Sequence, residues 1–324
     1  MKTFRRLICL LLCPLLLCAC TGPLGGDTET TADPTPSLTN GKTFKILAIN
    51  SSFGLNTTQL LYDIAVAEGY EDVTVARLYG SGATLANHVD NAEKNAAFYE
   101  YTKISTATGG QWKTLYPYDK NGVNGATMQH GLQDENWDII FIQQSAAHAP
   151  QARFYGTYII DLIKYVNTKK TNPDAKFVWN MCWAYQKDST DQYVFPKFDK
   201  DQMKMYDALV EVQNQFVVPN KDIAAIIPTG TTIQNARTSY IGDHLTRDGM
   251  HLNSLGKVFA GYTLFATITG EEIKEVKIDQ VTQAMSSDSA AITLTESDKQ
   301  VIVEAVNNAV KNPFAVTQSV YTQK

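Results

Sequence analysis

Cysteine is nearly missing from the body of this 324-residue chain: Cys9, Cys13, Cys18 and Cys20 fall in the first twenty positions, and only Cys182 follows. A single interior cysteine cannot close an intramolecular disulfide, so core burial has to hold the fold together. Also absent is an apolar run able to cross a bilayer. The stretch from Leu7 to Ala19 has thirteen residues, Pro14 among them, whereas a spanning helix needs about 20. Clustered positive charge is lacking too. The Lys and Arg residues are scattered apart from Lys169-Lys170, no basic stripe carries interleaved aromatics, and the formal charge is −5. Nucleic acid is therefore not an expected partner. His88, His130, His148 and His244 have no metal-ligand spacing to one another and no His-Glu-x-x-His occurs, so no metal is expected. Gly80-Ser81-Gly82 is not followed at the required spacing by the helix and acidic residue of a phosphate loop or dinucleotide fingerprint, and no organic cofactor is expected.

What the sequence does contain begins with Lys2, Arg5 and Arg6 ahead of the apolar stretch, the charged and apolar regions of a secretion leader. The stretch closes Leu17-Cys18-Ala19-Cys20, which resembles the bacterial lipobox, whose cysteine is acylated and becomes the new N-terminus. Residues 1–19 are expected to be removed, leaving Cys20 as the lipidation site. The alternative is an ordinary cleaved leader whose cysteines are apolar filler. Thr21 to Gly41 is rich in Thr, Pro, Gly and Asp and too poor in apolar residues to order itself, so residues 20–41 read as a lipidated, disordered linker. Loss of the leader removes three positive charges and no negative one, turning −5 into −8, an ordinary balance for an extracellular domain. The expected location is the outer face of a bacterial membrane, reached by the lipid anchor alone, with residues 42–324 as one folded domain.

Within that domain Phe44 to Ile49 is apolar apart from Lys45, which suits a strand buried on both faces over most of its length. Leu60, Leu61, Ile64 and Ala65 recur at helical spacing, with Asn56 or Thr57 as a cap and Gly69 as a stop. Strands are expected at Val73 to Leu78, Ile139 to Ile142, Phe177 to Cys182 and Ile223 to Ile227. Helices are expected at Tyr158 to Val166, Met203 to Phe216, Ser254 to Ile268 and Gln300 to Val310. This alternation predicts an α/β fold, a doubly wound, mostly parallel five-stranded sheet flanked by helices. Ligands of such sheets sit at the carboxyl ends of the strands. An insertion over about 87–137 carries the aromatic runs Phe98-Tyr99-Glu100-Tyr101 and Trp112 to Tyr116 around Gly109-Gly110. It predicts a β-ribbon, which either walls a substrate cleft or only packs onto the domain. A C-terminal extension covers about 271–324.

Two stretches carry chemistry. Asp248 and His251 stand three apart across Gly249, a spacing that lets a carboxylate hold one imidazole nitrogen while the other faces a cleft. The first strand runs straight into Asn50-Ser51-Ser52-Phe53-Gly54, where a serine hydroxyl would project at the sheet's carboxyl edge or merely begin a helix. His244 is an alternative base. Trp179, Trp183 and Tyr185 at the end of the fourth strand could stack on a sugar or be buried. Arg247 adjoins the dyad and could contact a hydroxylated or acidic substrate. Cys182, in an apolar strand, reads as a core residue.

A serine after the first strand, a glycine after the second, a polar amide after the third and Asp-x-x-His before the last long helix together resemble the SGNH hydrolase superfamily of GDSL-like esterases. Lys45 to Ile49, Leu78-Tyr79-x-x-Gly82, Trp137 to Ile140 with Gln143-Gln144, Trp183 to Gln186, Pro228 to Thr231 with Asn235 to Arg237, and Leu245 to Leu252 resemble its DUF4886 branch. The resemblance implies a Ser52 nucleophile, a His251 base, an Asp248 orienting carboxylate, and an oxyanion hole from the Ser52 and Gly82 amides with Gln144, or else Gln143, as side-chain donor. Gln143, Trp183, Tyr185 and Arg247 become candidate substrate contacts. The branch usually reads Gly-Asn-Ser-Phe where this chain has Asn50-Ser51-Ser52-Phe53, which places a side chain at a tight position and a second hydroxyl beside the nucleophile. The function implied is cell-surface hydrolysis of small acyl esters, acetyl groups on carbohydrate above all. The alternative is a carbohydrate-binding surface lipoprotein with a degenerate site.

Overall fold

The apolar run expected to be buried on both faces is β1 (Thr43–Asn50), and its side chains divide between two cores. Phe44, Ile46 and Ala48 enter one hydrophobic cluster, while Leu47 and Ile49 enter the other, as the two-residue period of a strand requires. The computed structural model describes residues 36–119, 121–281 and 290–323. The leader over 1–19, Cys20 and the linker as far as residue 35 lie outside the described residues. The end of the linker is not free chain. Leu38 donates its backbone N–H to the Ile268 carbonyl and Asn40 bridges to Thr43, so order begins before the expected boundary at residue 42.

After β1 come helices α1 (Ser52–Thr58) and α2 (Leu61–Ala67), then β2 (Asp72–Tyr79) and α3 (Leu85–Glu93). Strands β3 (Glu100–Ser105) and β4 (Lys113–Tyr116) form the ribbon, followed by α4 (Met128–Asp134), β5 (Ile139–Ile142), α5 (Tyr158–Lys169) and β6 (Lys176–Asn180). The remainder holds α6 (Gln202–Val212), β7 (Ile223–Ile227), α7 (Thr229–Arg237), α8 (Ser254–Thr269), the short pair β8 (Gln280–Val281) and β9 (Ile292–Thr293), and α9 (Glu296–Lys311). The main sheet runs β4-β3-β2-β1-β5-β6-β7. Its five strands β2, β1, β5, β6 and β7 are parallel, as expected. The ribbon adds two antiparallel strands to the same sheet, making seven rather than five.

That pairing also decides what the ribbon does. Tyr79 pairs with Glu100 and Thr74 with Ser105, so the turn after Ser105 lies at the amino edge of the parallel strands, opposite the edge reached by Asn50 and Tyr79. The hairpin tip therefore does not wall a cleft at the carboxyl edge. Tyr99 and Tyr101 are buried, and Trp112 lies against the Arg77 guanidinium, 3.5 Å from its carbon to the ring centroid. Helices α3, α4 and α7 did not stand out in the sequence because each is short and largely polar. The described part of the C-terminal extension packs back: α9 lies on α7 and α8, and Thr317 donates its N–H to Asn235. Among the described residues no helix is long and apolar enough to cross a membrane.

Candidate active site

Asn50 ends the central strand and Ser51 takes the N-cap position of α1, so Ser52 is the first helical residue at the sheet's carboxyl edge. Its Oγ lies 3.0 Å from His251 Nε2. The other imidazole nitrogen, Nδ1, is 2.7 Å from Asp248 Oδ2, and Asp248 Oδ1 accepts the backbone N–H groups of Met250 and His251 at 3.0 and 2.7 Å. The carboxylate thus grips both the ring and the backbone of the same histidine. Burial raises the Asp248 pKa, but the hydrogen bonds from His251 and Met250 and the nearby imidazole outweigh it and hold the group below its ordinary value. The imidazole is half-buried and faces Ser52, so the line Ser52–His251–Asp248 is continuous.

The loop carrying Asp248 and His251 is pinned from three sides. Arg247 donates its N–H to the His251 carbonyl, closing a short turn in which Gly249 adopts φ +82°. A side chain there would be strained by that φ and would also meet Ser189 at 3.0 Å. Gln186 donates its N–H to the Gly249 carbonyl, Trp183 Nε1 donates to the Met250 carbonyl at 2.8 Å, and Asn56 Oδ1 accepts from the Leu252 N–H at 2.9 Å. Phe53 stacks on Trp183 with centroids 4.0 Å apart and planes within 3°, and meets the His251 ring edge to face at 5.5 Å. The residue after Ser52 is thus the packing link between the α1 start and the histidine.

Several sequence expectations are corrected by this arrangement. Trp183 and Tyr185 are buried and Trp179 is buried in the opposite core, so none forms an exposed stacking platform. Trp183 and Tyr185 pack against Phe53 and support the site from behind. Gln144 is 1% exposed, its Nε2 donates to the Phe154 carbonyl at 3.0 Å, and its Oε1 accepts from Leu85 N–H at 3.1 Å and Ser145 N–H at 2.9 Å. It is engaged at both ends within the protein and does not present a free amide to Ser52. Gln143 is buried as well and donates to Ser51 Oγ at 3.2 Å, so it is not a surface contact for substrate. Ser51, the competing hydroxyl, is 1% exposed and turned toward Gln143. His244 is exposed, its carbonyl held by Asn253, and it is His251 that lies against Ser52.

Gly82 lies exposed on the turn between β2 and α3 with φ +63°, a backbone suited to glycine. Arg247 is half-buried, and among the described residues its guanidinium enters no ion pair. Cys182 is a buried free thiol pushed up to about 12 by burial, a core residue and not a nucleophile. Among the described residues no three His, Cys, Asp or Glu side chains converge as metal ligands do. Asn180, Arg237 and Asp243 escaped notice as site-building residues. A polar residue inside the apolar run Phe177 to Cys182 was the available signal for the first; Arg237 entered only as the end of the Asn235 to Arg237 stretch, and nothing in the spacing marked Asp243.

A family model described as a domain of unknown function, DUF4886, matches residues 45–295. The chain belongs to the DUF4886 family. A DUF4886 family protein from Bacteroides uniformis ATCC 8492, solved as a crystal structure, is 29% identical, with a TM-score of 0.74 over 87% of this chain and 100% of that one. A member of the lipolytic protein G-D-S-L family from Veillonella parvula DSM 2008 is 12% identical, with a TM-score of 0.39 over 68% of this chain and 96% of that one. No curated protein matches the chain. In this DUF4886 chain the side chain of Asn50 is accommodated beside a glycine at residue 54. A Cβ at Gly54 would come within 2.6 Å of Asn50 Cβ and 2.9 Å of Gln143 Oε1.

Proposed function

We propose that the protein is a serine esterase of SGNH type that hydrolyses small acyl esters. The observation that carries this reading is the Ser52–His251–Asp248 line, with heavy-atom separations of 3.0 and 2.7 Å, within the reach a nucleophile and its base require. Ser52 Oγ adds to the ester carbonyl while its proton passes to His251 Nε2. Asp248 keeps the neutral imidazole in the tautomer that accepts at Nε2 and offsets the positive charge that forms. The oxyanion is assigned to the backbone N–H groups of Ser52, which at the first turn of α1 has no intrahelical acceptor, and Gly82. Collapse expels the alcohol, protonated by His251, and water then cleaves the acyl-serine by the same proton path.

Acetyl esters on carbohydrate are the proposed substrate class, on the strength of the sequence resemblance alone, since Trp179, Trp183 and Tyr185 are buried and offer no sugar-stacking face. The lipobox-like Leu17 to Cys20 supports lipid attachment at Cys20 and a place on the outer face of a bacterial membrane. The full chain and its Ser52→Ala variant would be compared for acetate release from chromogenic acetate esters and acetylated polysaccharides. Release by the unaltered protein and its loss in Ser52→Ala is expected. Equal rates in both would defeat the proposal, and retention of glycans without turnover would favour a binding protein.

A further inference from the structure

Gln143 and Gln144 follow β5 directly and, because successive residues of a strand point to opposite faces, they reach opposite layers of the sandwich. Gln143 lies on the α1 face. Its Nε2 donates to Ser51 Oγ at 3.2 Å, and its Oε1 accepts from Asn180 Nδ2 at 3.1 Å. Asn180 Oδ1 in turn accepts from Thr229 Oγ1 at 2.7 Å. The register explains the row: Ile49 pairs with Ile142 and Ile142 with Trp179, so Asn50, Gln143 and Asn180 stand side by side one residue further along, beneath α1. Ser51 sits at the N-cap yet makes no side-chain capping bond. The hydroxyl that would ordinarily serve the helix is turned to Gln143 instead.

Gln144 reaches the other way. The Leu85 N–H belongs to the first residue of α3, whose amides have no acceptor within the helix, and Gln144 Oε1 supplies one at 3.1 Å. Three residues earlier stands Gly82, on a turn closed by Ala83 N–H donating to the Gly80 carbonyl at 3.1 Å and tied to β1 by Gly80 N–H donating to the Asn50 carbonyl at 3.0 Å. The two glutamines therefore grip the two segments that carry Ser52 and Gly82.

We infer that Gln143 and Gln144 are paired positioning residues, one setting the Ser52 amide through Ser51 and the other setting the Gly82 amide through Leu85, and that neither donates to the oxyanion itself. This rests on the esterase reading above. Displacement of a reacting group by about 1 Å can cost roughly a hundredfold in rate, so each brace has leverage without touching substrate.

The full chain would be compared with Gln144→Leu, the closer-shaped Gln144→Met, Gln143→Leu, Ser51→Ala and the double variant Gln143→Leu/Ser51→Ala. Turnover of a chromogenic acetate ester and amide hydrogen exchange are the two readouts. The Gln144 variants should lose about ten- to a hundredfold in kcat while the Ala83 amide exchanges faster, because the turn presenting Gly82 loosens. Gln143→Leu and Ser51→Ala should each slow turnover, and together no more than the worse of the two, as coupled partners do. A kcat loss of roughly two to three orders with Ala83 exchange unchanged would make Gln144 a direct donor and overturn the inference. So would additive losses at Gln143 and Ser51, or unaltered turnover in both glutamine variants. If the unaltered chain turns over no faster than Ser52→Ala, the esterase reading fails and the inference falls with it, an outcome distinct from the others.

Discussion

Asp243 and Asp248 stand five positions apart on the segment leading to the last long helix, and they are put to opposite uses. Asp243 is shut inside the protein, where it pairs with Arg237 at 2.6 Å with the two side chains only 9% and 3% exposed. It also accepts from the Lys187 N–H at 2.8 Å and Gln202 Nε2 at 3.0 Å. Arg237 extends the clamp by donating to the Ala184 carbonyl at 3.0 Å, and burial, opposed by Asp243, brings its pKa down to about 10. Asp248, by contrast, is 42% exposed and spends its oxygens on His251 and its neighbour. Burial makes the first carboxylate a clamp between the loop after β6 and the segment before the histidine. Exposure leaves the second free to follow the proton chemistry of an imidazole. The two roles should separate cleanly under mutation.

The largest effect is expected at Asp248. Asp248→Asn should lower turnover by about 10⁴-fold through loss of the required tautomer while changing stability by under about 1 kcal/mol; steady-state kinetics and urea unfolding on one preparation test both halves. A depressed carboxyl stabilises the fold above its unfolded pKa, about 3.9, and that contribution is lost as pH falls through the folded value. The stability gap between the unaltered protein and Asp248→Asn should thus be flat from about pH 7 to 5 and close only below the ordinary carboxylate range.

Next comes Arg237→Met, which strands a buried carboxylate and should cost about 3–5 kcal/mol in unfolding free energy. If it destabilises no more than Asp248→Asn, the division between clamp and chemistry is wrong. The smallest effect belongs where packing and chemistry meet. Gly54→Ala should cost about 1–3 kcal/mol by overpacking, with part recovered in Asn50→Gly/Gly54→Ala because the 2.6 Å contact is removed. Unfolding midpoints of the two variants decide it.

The fold was legible because its central strands are short, mostly apolar and separated by helical spacing, and a parallel sheet covered on both faces demands that pattern. Ile139–Ile142 and Ile223–Ile227 fall where the apolar runs place them. The ribbon's partner was not legible, since nothing in alternating aromatics says which sheet edge they extend. Ser52, Asp248 and His251 were recoverable from their order along the chain, and the structure brings them together. The second layer was not. Whether an amide after a strand faces the cleft or a neighbouring backbone depends on its alternation and on what lies across from it, and Gln143 and Gln144 resolve that in opposite directions. Trp183 shows the same limit, for an aromatic at a strand end serves equally to stack on ligand or to carry Phe53.

The central claim, that Ser52 is the nucleophile of an assembled proton relay, is tested most directly by reacting the folded full chain with a fluorophosphonate and locating the adduct by mass spectrometry. In that reaction Ser52 Oγ bonds to phosphorus, fluoride leaves and the serine proton passes to His251. The account requires a single adduct on Ser52, abolished in Ser52→Ala and strongly slowed in His251→Ala. An adduct on Ser51, or none on the folded protein, would contradict it.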